Sequence, residues 1–437
     1  MKLKVSKKKL YSIWLFILML TIIWQDFYLS TVIGRIGSTP LVVLCPFLLA
    51  FEIYTAFTNK KWLTIGGDIG LLFVSFLALF LIVSCVYISF TVFFGEISYL
   101  GENIIVKTLK QSVYYIFIIL LIRNLDNTLT KIDSEKIVSN LSFYIILILF
   151  VVLLVEIMEI NKNWIWPQKP SAWNFLHSNR HEYYWRIRLL TAESSFTGTM
   201  VMFFSLLSLL YTKSKLRYFV VIFFFLVYLF NTDSKGFLLS FILAFILYII
   251  FKIKPKYLLF GILIAGIIFT FFIVPYLSPE KIHSYSVSLM TRYTGLIAGL
   301  YSVIFHPIGT GGLNYVYTLN YLDEVSKITK VILGDFANTA EIQIYLERGS
   351  DKNIDIKSTI GHWAITLGVF GVGLYIYMCY KLIIYNKSNS YLLFGTFFFI
   401  FMTIFVLPIE MEYPCIMFLV VSQFIYLKNK NQLVHES

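Results

Sequence analysis

Charge is what this chain has least of: only 14% of its 437 residues are Asp, Glu, Lys or Arg. Length alone would allow about three soluble domains. A hydrophobic fraction of 58% and a mean hydropathy of +0.78 exclude that reading. Cysteine is also scarce. Cys45, Cys85, Cys379 and Cys415 fall in apolar runs without metal-binding or redox spacing, which excludes a disulfide framework and suggests small buried hydrophobes. There is no internal repeat, no low-complexity tract and no nucleotide-binding loop. The net charge of +12 is not gathered into a basic face, so nucleic acid is not an expected partner.

What is present is apolar run after apolar run, each about the 20 residues needed to cross a bilayer as helix. A helix satisfies every backbone group within one segment, so the expected fold is all-α: a polytopic membrane protein forming one integral domain over residues 1–437. Twelve spans are expected, starting near Leu10, Ile36, Asp68, Ile104, Lys136, Ser194, Leu216, Lys235, Tyr257, Ile360, Tyr391 and Met411. The first follows "KKK" and lacks a small-residue cleavage site, so it reads as an uncleaved anchor. If the spans alternate, "MKLKVSKKK", "NKK", "TKSKLR", "KIKPK", "YKLIIYNK" and "KNKNQ" share one side, while the acidic "GEISYLGEN" and "PIEMEYP" share the other. The positive-inside rule then makes both termini cytoplasmic.

Two outer connections are long: a basic, aromatic loop over residues 161–191 and a larger one over 276–359. A carrier needs no large outer segment, whereas an enzyme acting at that face needs somewhere to build a site. The first loop, "NKNWIWPQKPSAWNFLHSNRHEYYWRIR", has five Lys or Arg against the single acid Glu182. It should attract an anion, and arginine suits phosphate oxygens. Trp164, Trp166, Trp173, Tyr183, Tyr184 and Trp185 are either flat surfaces for sugar rings or an interfacial aromatic belt.

"RLLTAESSFTG" follows at once. Thr191 or Ser194 can cap the sixth span, putting Glu193 near its positive end. Glu193 is then a capping carboxylate paired with Arg188, or a functional group facing a cavity. Ser194, Ser195 and Thr197 are hydroxyls that bind substrate or merely neighbouring backbone. In "NTDSKG", Asp233 and Lys235 either neutralise each other or stand level with Glu193. The second long loop contains "SLMTRYTGLIAGLYSVIFHPIGTGGLNY", with a helical stripe of Leu289, Leu296, Leu300 and Ile304. Arg292, Gly295 and Gly299 share another face, open to close approach. "GTGG" is an ordinary turn or a cup of amides for phosphate. His306 and His362 are candidate bases or structural histidines. Gly368, Gly371 and Gly373 suit close helix packing.

At these residues the chain resembles the O-antigen and capsular polysaccharide repeat-unit polymerases of bacteria. The resemblance lies in topology, in "RLLTAESSFTG", which is similar to that family's Arg…Glu-Pro-Ser element, in "TDSKG", and in "RYTGLIAG…HPIGTGG". Ser194 stands where the family often has proline. Nine residues separate Arg188 from Gly198, where the family has ten, and Arg292 has no glycine at that distance. The resemblance implies a fold like the multi-span lipid-sugar glycosyltransferases and a site at the outer face of the plasma membrane. Its implied partners are the bilayer and repeat-unit glycans on undecaprenyl diphosphate, with room for a chain-length regulator. No cofactor is expected and the scheme requires no metal, although Asp233 with Glu193 could bind a cation. The expected mechanism has Arg188 and Arg292 holding the diphosphate, with Arg186 or Lys235 assisting. Glu193 is the first candidate base, His306 or His362 the second. An O-antigen ligase or a lipid-linked oligosaccharide flippase are the competing readings.

Overall fold

The computed structural model describes residues 7–33, 37–59, 66–95, 98–99, 102–165, 187–232, 234–252, 279–333, 338–348 and 356–436. The described chain is helical apart from one small antiparallel hairpin, β1 (Ser98–Tyr99) with β2 (Glu102–Asn103). In order, its main helices are α1 (Lys7–Ile23), α2 (Cys45–Asn59), α3 (Gly67–Phe93), α4 (Ile104–Ile132), α5 (Glu135–Ile165), α6 (Ser194–Leu209), α7 (Lys215–Asn231) and α8 (Lys235–Lys252). There follow α9 (Pro279–Phe305), α10 (Asn314–Leu333), α11 (Ala340–Arg348), α12 (Thr359–Leu367), α13 (Val369–Asn386), α14 (Ser390–Phe405) and α15 (Tyr413–Glu436).

Among the described residues, α3, α4, α8 and α13, with Glu135–Met158 of α5, are long and apolar enough to cross a membrane. The most apolar stretch of α3 has a mean hydropathy of 2.8, yet only 44% of it is buried by protein. Leu81, Ile82, Val86 and Phe90 stand exposed along it. Apolar side chains that protein leaves uncovered suit lipid, so this is a helical membrane protein. The apolar helices α6 and α14 are shorter, at 16 residues each.

Most helices start where the apolar runs do. Several expectations need correction. The run from Ile36 becomes helical only at Cys45, after a 3-10 turn at Pro40–Val42 capped by the Thr39 hydroxyl. The run from Ile360 is two helices, because Gly368 turns the chain between α12 and α13 at φ 61°, a conformation that favours glycine. Gly371 does allow α13 to lie against α12, since a Cβ there would overlap the Trp363 carbonyl, but Gly373 faces open space. Cys85 is exposed on α3, and only Cys415 of the four cysteines is fully buried. The span expected from Tyr257 lies outside the described residues.

The second long connection is folded. Its helices α9, α10 and α11 pack with α12 around a small core of Ala298, Tyr321, Leu322, Val325, Ile342, Ile356 and Ile365, separate from the main core. The expected leucine stripe on α9 is only partly right: Leu296 is buried, but Ile304 is 71% exposed. The buried face is that of Thr294, Ala298 and Ser302. Gly299 lies on it so tightly that a Cβ would overlap the Gly361 carbonyl of α12, while Gly295 has its nearest neighbour at 3.8 Å.

Polar contacts mark the two ends of the bundle. At the lysine-rich end, Asp68 takes hydrogen bonds from Lys381 Nζ at 2.8 Å and the Tyr385 hydroxyl at 2.7 Å, and Gln423 ties α15 to the start of α3. Towards the other end, α9, α10 and α11 form a cap that packs on α12, and α12 itself enters the main core, where Trp363 lies against Phe73 and Phe76 of α3.

Candidate functional site

The capped end gathers most of the polar side chains singled out in the sequence. Its base is the turn 187–193. Glu156, fully buried on α5, accepts the backbone N–H of Arg188 at 3.2 Å and of Leu189 at 2.7 Å. Leu189 takes a left-handed φ of 48°, which a branched side chain adopts only where its surroundings compel it. The Leu190 carbonyl accepts from the backbone of Gln25 and Asp26, and the Thr191 and Thr197 hydroxyls bond the Arg188 carbonyl at 2.9 and 2.7 Å. Replacing Glu156 with Leu would strand two buried amides, and we expect it to cost roughly 2–4 kcal/mol. A melting temperature for the purified variant close to that of the parent would refute this.

Arg188 itself is 3% exposed and donates from Nη1 to the Ala192 carbonyl at 3.0 Å. Burial pushes its pKa down, and the charges of Asp26, Glu156 and Glu193 pull it back up. It lies beneath the turn as a supporting cation, so the bidentate phosphate grip expected of it has no exposed guanidinium to make it.

Glu193 is the N-cap residue of α6, but its side chain makes no capping bond, and neither Thr191 nor Ser194 occupies that position. The carboxylate turns instead to Lys357, whose Nζ is 3.3 Å from both oxygens, and accepts from the Ser195 hydroxyl at 3.2 Å. Burial acts to raise its pKa. The charges of Lys357 and Arg292, with the hydrogen bonds from Lys357 and Ser195, outweigh that and hold it below the ordinary glutamate range. Its stabilising contribution is therefore complete above that ordinary range and lost as the pH falls through the lowered value. The side chain keeps 43% of its surface exposed, so it is reachable from solvent.

Arg292, on α9, donates from Nη1 to the Val406 carbonyl at 3.1 Å. Gly236, beside Lys235, packs so closely that a Cβ there would stand 3.2 Å from the same Nη1. The start of α8 and the start of α6 thus meet α9 and Lys357 at one place. Asp233, Trp185 and Arg186 lie outside the described residues, as does most of the first long loop.

The histidines belong to other sets. His362 Nδ1 is 3.2 Å from Glu410 Oε1, and its Nε2 is 2.9 Å from Asn314 Nδ2. Trp363 Nε1 donates to the same Glu410 oxygen. Both ring nitrogens of His362 are engaged by the protein. His306 lies at the opposite end of α12, its Nδ1 2.8 Å from the Tyr87 hydroxyl and its ring centroid 4.6 Å from that of Tyr317. Burial lowers its pKa, which favours the neutral ring.

"GTGG" is a packing wedge. The amides of Gly309, Thr310, Gly312 and Leu313 donate to the His306 carbonyl, the Ile365 carbonyl, the Ser84 hydroxyl and the Thr310 carbonyl. Those donors are spent inside the protein and leave no cup for phosphate. No group of three or more His, Cys, Asp or Glu suited to a metal occurs among the described residues.

Sequence reasoning missed Lys357, Glu156, Glu410 and Glu412. Lys357 stands just before the Ser358 cap of α12, much as Glu193 stands just before α6, and that parallel was the available signal. "PIEMEYP" reads in the sequence only as an acidic connection, yet Glu410 and Glu412 are both buried here, and the Thr199 hydroxyl donates to Glu412 at 2.7 Å.

What the arrangement offers is an ionised, reachable carboxylate flanked by two cations, where an apolar helical bundle meets a helical cap. No protein-family model, curated protein or solved structure matches the chain.

Proposed function

We propose that this protein is a polysaccharide polymerase, joining undecaprenyl-diphosphate-linked oligosaccharide repeat units by glycosyl transfer. It would act at the outer face of the bacterial plasma membrane, with both termini cytoplasmic. The observation that carries the reading is Glu193 beside Lys357 and Arg292 at one end of a membrane bundle. An acceptor hydroxyl on one repeat unit attacks the anomeric carbon of the growing glycan. The bond from that carbon to the diphosphate oxygen breaks, the lipid diphosphate leaves with the bonding electrons, and the hydroxyl proton passes to Glu193.

The two cations fit both halves of this exchange. An incoming diphosphate competes for Lys357 and Arg292 and gives them a multiply charged partner, stabilising the charge that grows on the leaving group. Drawing them off the carboxylate removes the influence that holds its pKa down, so Glu193 becomes a better base when the donor is seated. Arg188 acts through the turn and at longer range. Lys357→Met is therefore expected to lower polymer yield severely, with Lys357→Arg recovering part of it. Equal polymer from the Met variant and the parent would count against a cation role for Lys357.

The test of the reading is extraction of lipid-linked glycans from cells lacking the gene, sized and assigned to a membrane face. Single repeat units stranded at the outer face support a polymerase. Long lipid-linked polymer indicates a ligase instead, and single units held on the cytoplasmic side indicate a flippase.

A further inference from the structure

A second charged place lies at the lysine-rich end of the bundle, far from Glu193. There α5 and α7 flank a groove of about 860 Å³ lined by Lys136, Asn140, Lys213, Ser214 and Arg217. Arg217 is its centre. Only 9% of that residue is exposed, and its guanidinium lies 4.7 Å over the Phe143 ring. Nη1 donates to Asn140 Oδ1 at 2.8 Å, and Nη2 donates to the Ser139 hydroxyl at 2.9 Å and to the Ser139 carbonyl. Nε has no acceptor. Each of these partners is neutral, and among the described residues no carboxylate pairs with Arg217.

A buried cation without a counter-ion is costly, and an anion brought to it relieves the cost. The surroundings favour that anion further. Lys136 and Lys213 are both exposed on the groove, and neither forms an ion pair among the described residues. The N-terminus of α7, capped by Ser214, adds its partial positive charge. The nearby acids have other partners: Asp133 pairs with Lys428 at 3.3 Å, and Glu135 accepts from the hydroxyl of Tyr211 at the edge of the groove.

One side of the lining is apolar. Leu147 and Val220 continue the groove from Phe143 along the two helices, and Leu216, 71% exposed, stands at its side. A phosphate site that opens onto an apolar track between two membrane helices has the form of a phospholipid: headgroup on the cations, acyl chain along the helices. We propose that this groove binds an anionic phospholipid, its phosphate held by Arg217 with Lys136 and Lys213. The site does not depend on the polymerase reading.

The test uses the full-length protein in detergent, with melting temperature followed as phosphatidylglycerol, phosphatidylcholine or inorganic phosphate is added. Phosphatidylglycerol is expected to raise the melting temperature saturably, and the other two to leave it unchanged. In a Lys136→Gln/Lys213→Gln variant the midpoint for phosphatidylglycerol should rise roughly tenfold or more. Those lysines are exposed, so that variant folds even if Arg217→Gln does not. Arg217→Gln, where it folds, should lose the saturable shift. An equal response to phosphatidylcholine or to inorganic phosphate would overturn the assignment, as would an unchanged midpoint in the double variant.

Discussion

On the proposed polymerase reading, Glu193→Gln is expected to abolish polymer growth while leaving the amount of protein in the membrane unchanged. The amide keeps the shape and the bond from Ser195 but removes both the charge and the basic oxygen. Little stability should be lost, because the pair with Lys357 is partly exposed and such pairs contribute modestly. The loss falls on the reaction. A positioned base is typically worth about 10²–10⁴-fold, and without it the acceptor hydroxyl is a poor nucleophile. The readout is glycan length by gel alongside protein abundance by immunoblot. Near-parental chain lengths would remove Glu193 from the mechanism, whereas short glycans with much-reduced protein would point to a folding role instead.

The second large effect concerns a single methyl group. Gly299→Ala should cost both stability and activity, because the new Cβ would overlap the Gly361 carbonyl, and a helix backbone cannot rotate aside as a side chain can. The cap helix α9 must then lift off α12, and Arg292, two turns earlier on α9, moves with it. Gly295→Ala, one turn away, meets nothing nearer than 3.8 Å and should be tolerated. Melting temperatures and polymer yields of the two variants, measured side by side, decide the matter. If Ala is accepted equally at both positions, α9 and α12 do not pack as described.

The fold was largely readable because span and turn signals are local. An apolar run such as that of α3 declares its own length, and Asn103 or Ser214 ahead of a run marks where the helix starts. The exceptions are informative. Gly368 looked like a packing glycine because nothing in its neighbourhood distinguishes a smooth face from a break. The bond from the Val369 amide to the Pro307 carbonyl, which belongs to a distant segment, anchors the far side of that break. The candidate site was readable only in part, for the same reason. Glu193 and Arg292 stood out by themselves, as ionisable groups at the edges of apolar or glycine-marked helices. Lys357 did not, since its partner lies 164 residues earlier in the chain. Glu156 was equally silent: a carboxylate in an apolar run says that something polar must meet it, but not that two backbone amides of a later turn will do so.

The shortness of α6 has a geometric consequence. Sixteen residues of helix reach about 24 Å, whereas the hydrocarbon layer is about 30 Å thick. With its far end level with one membrane surface, the end that carries Glu193 sits several ångströms below the opposite one. Protein buries α6 along nearly its whole length, so this depth is a recess within the bundle. A substrate whose reactive bond rides next to its polyprenyl anchor would then need no lifting into water. It could slide sideways, at its own natural depth, until the anomeric carbon comes level with the carboxylate.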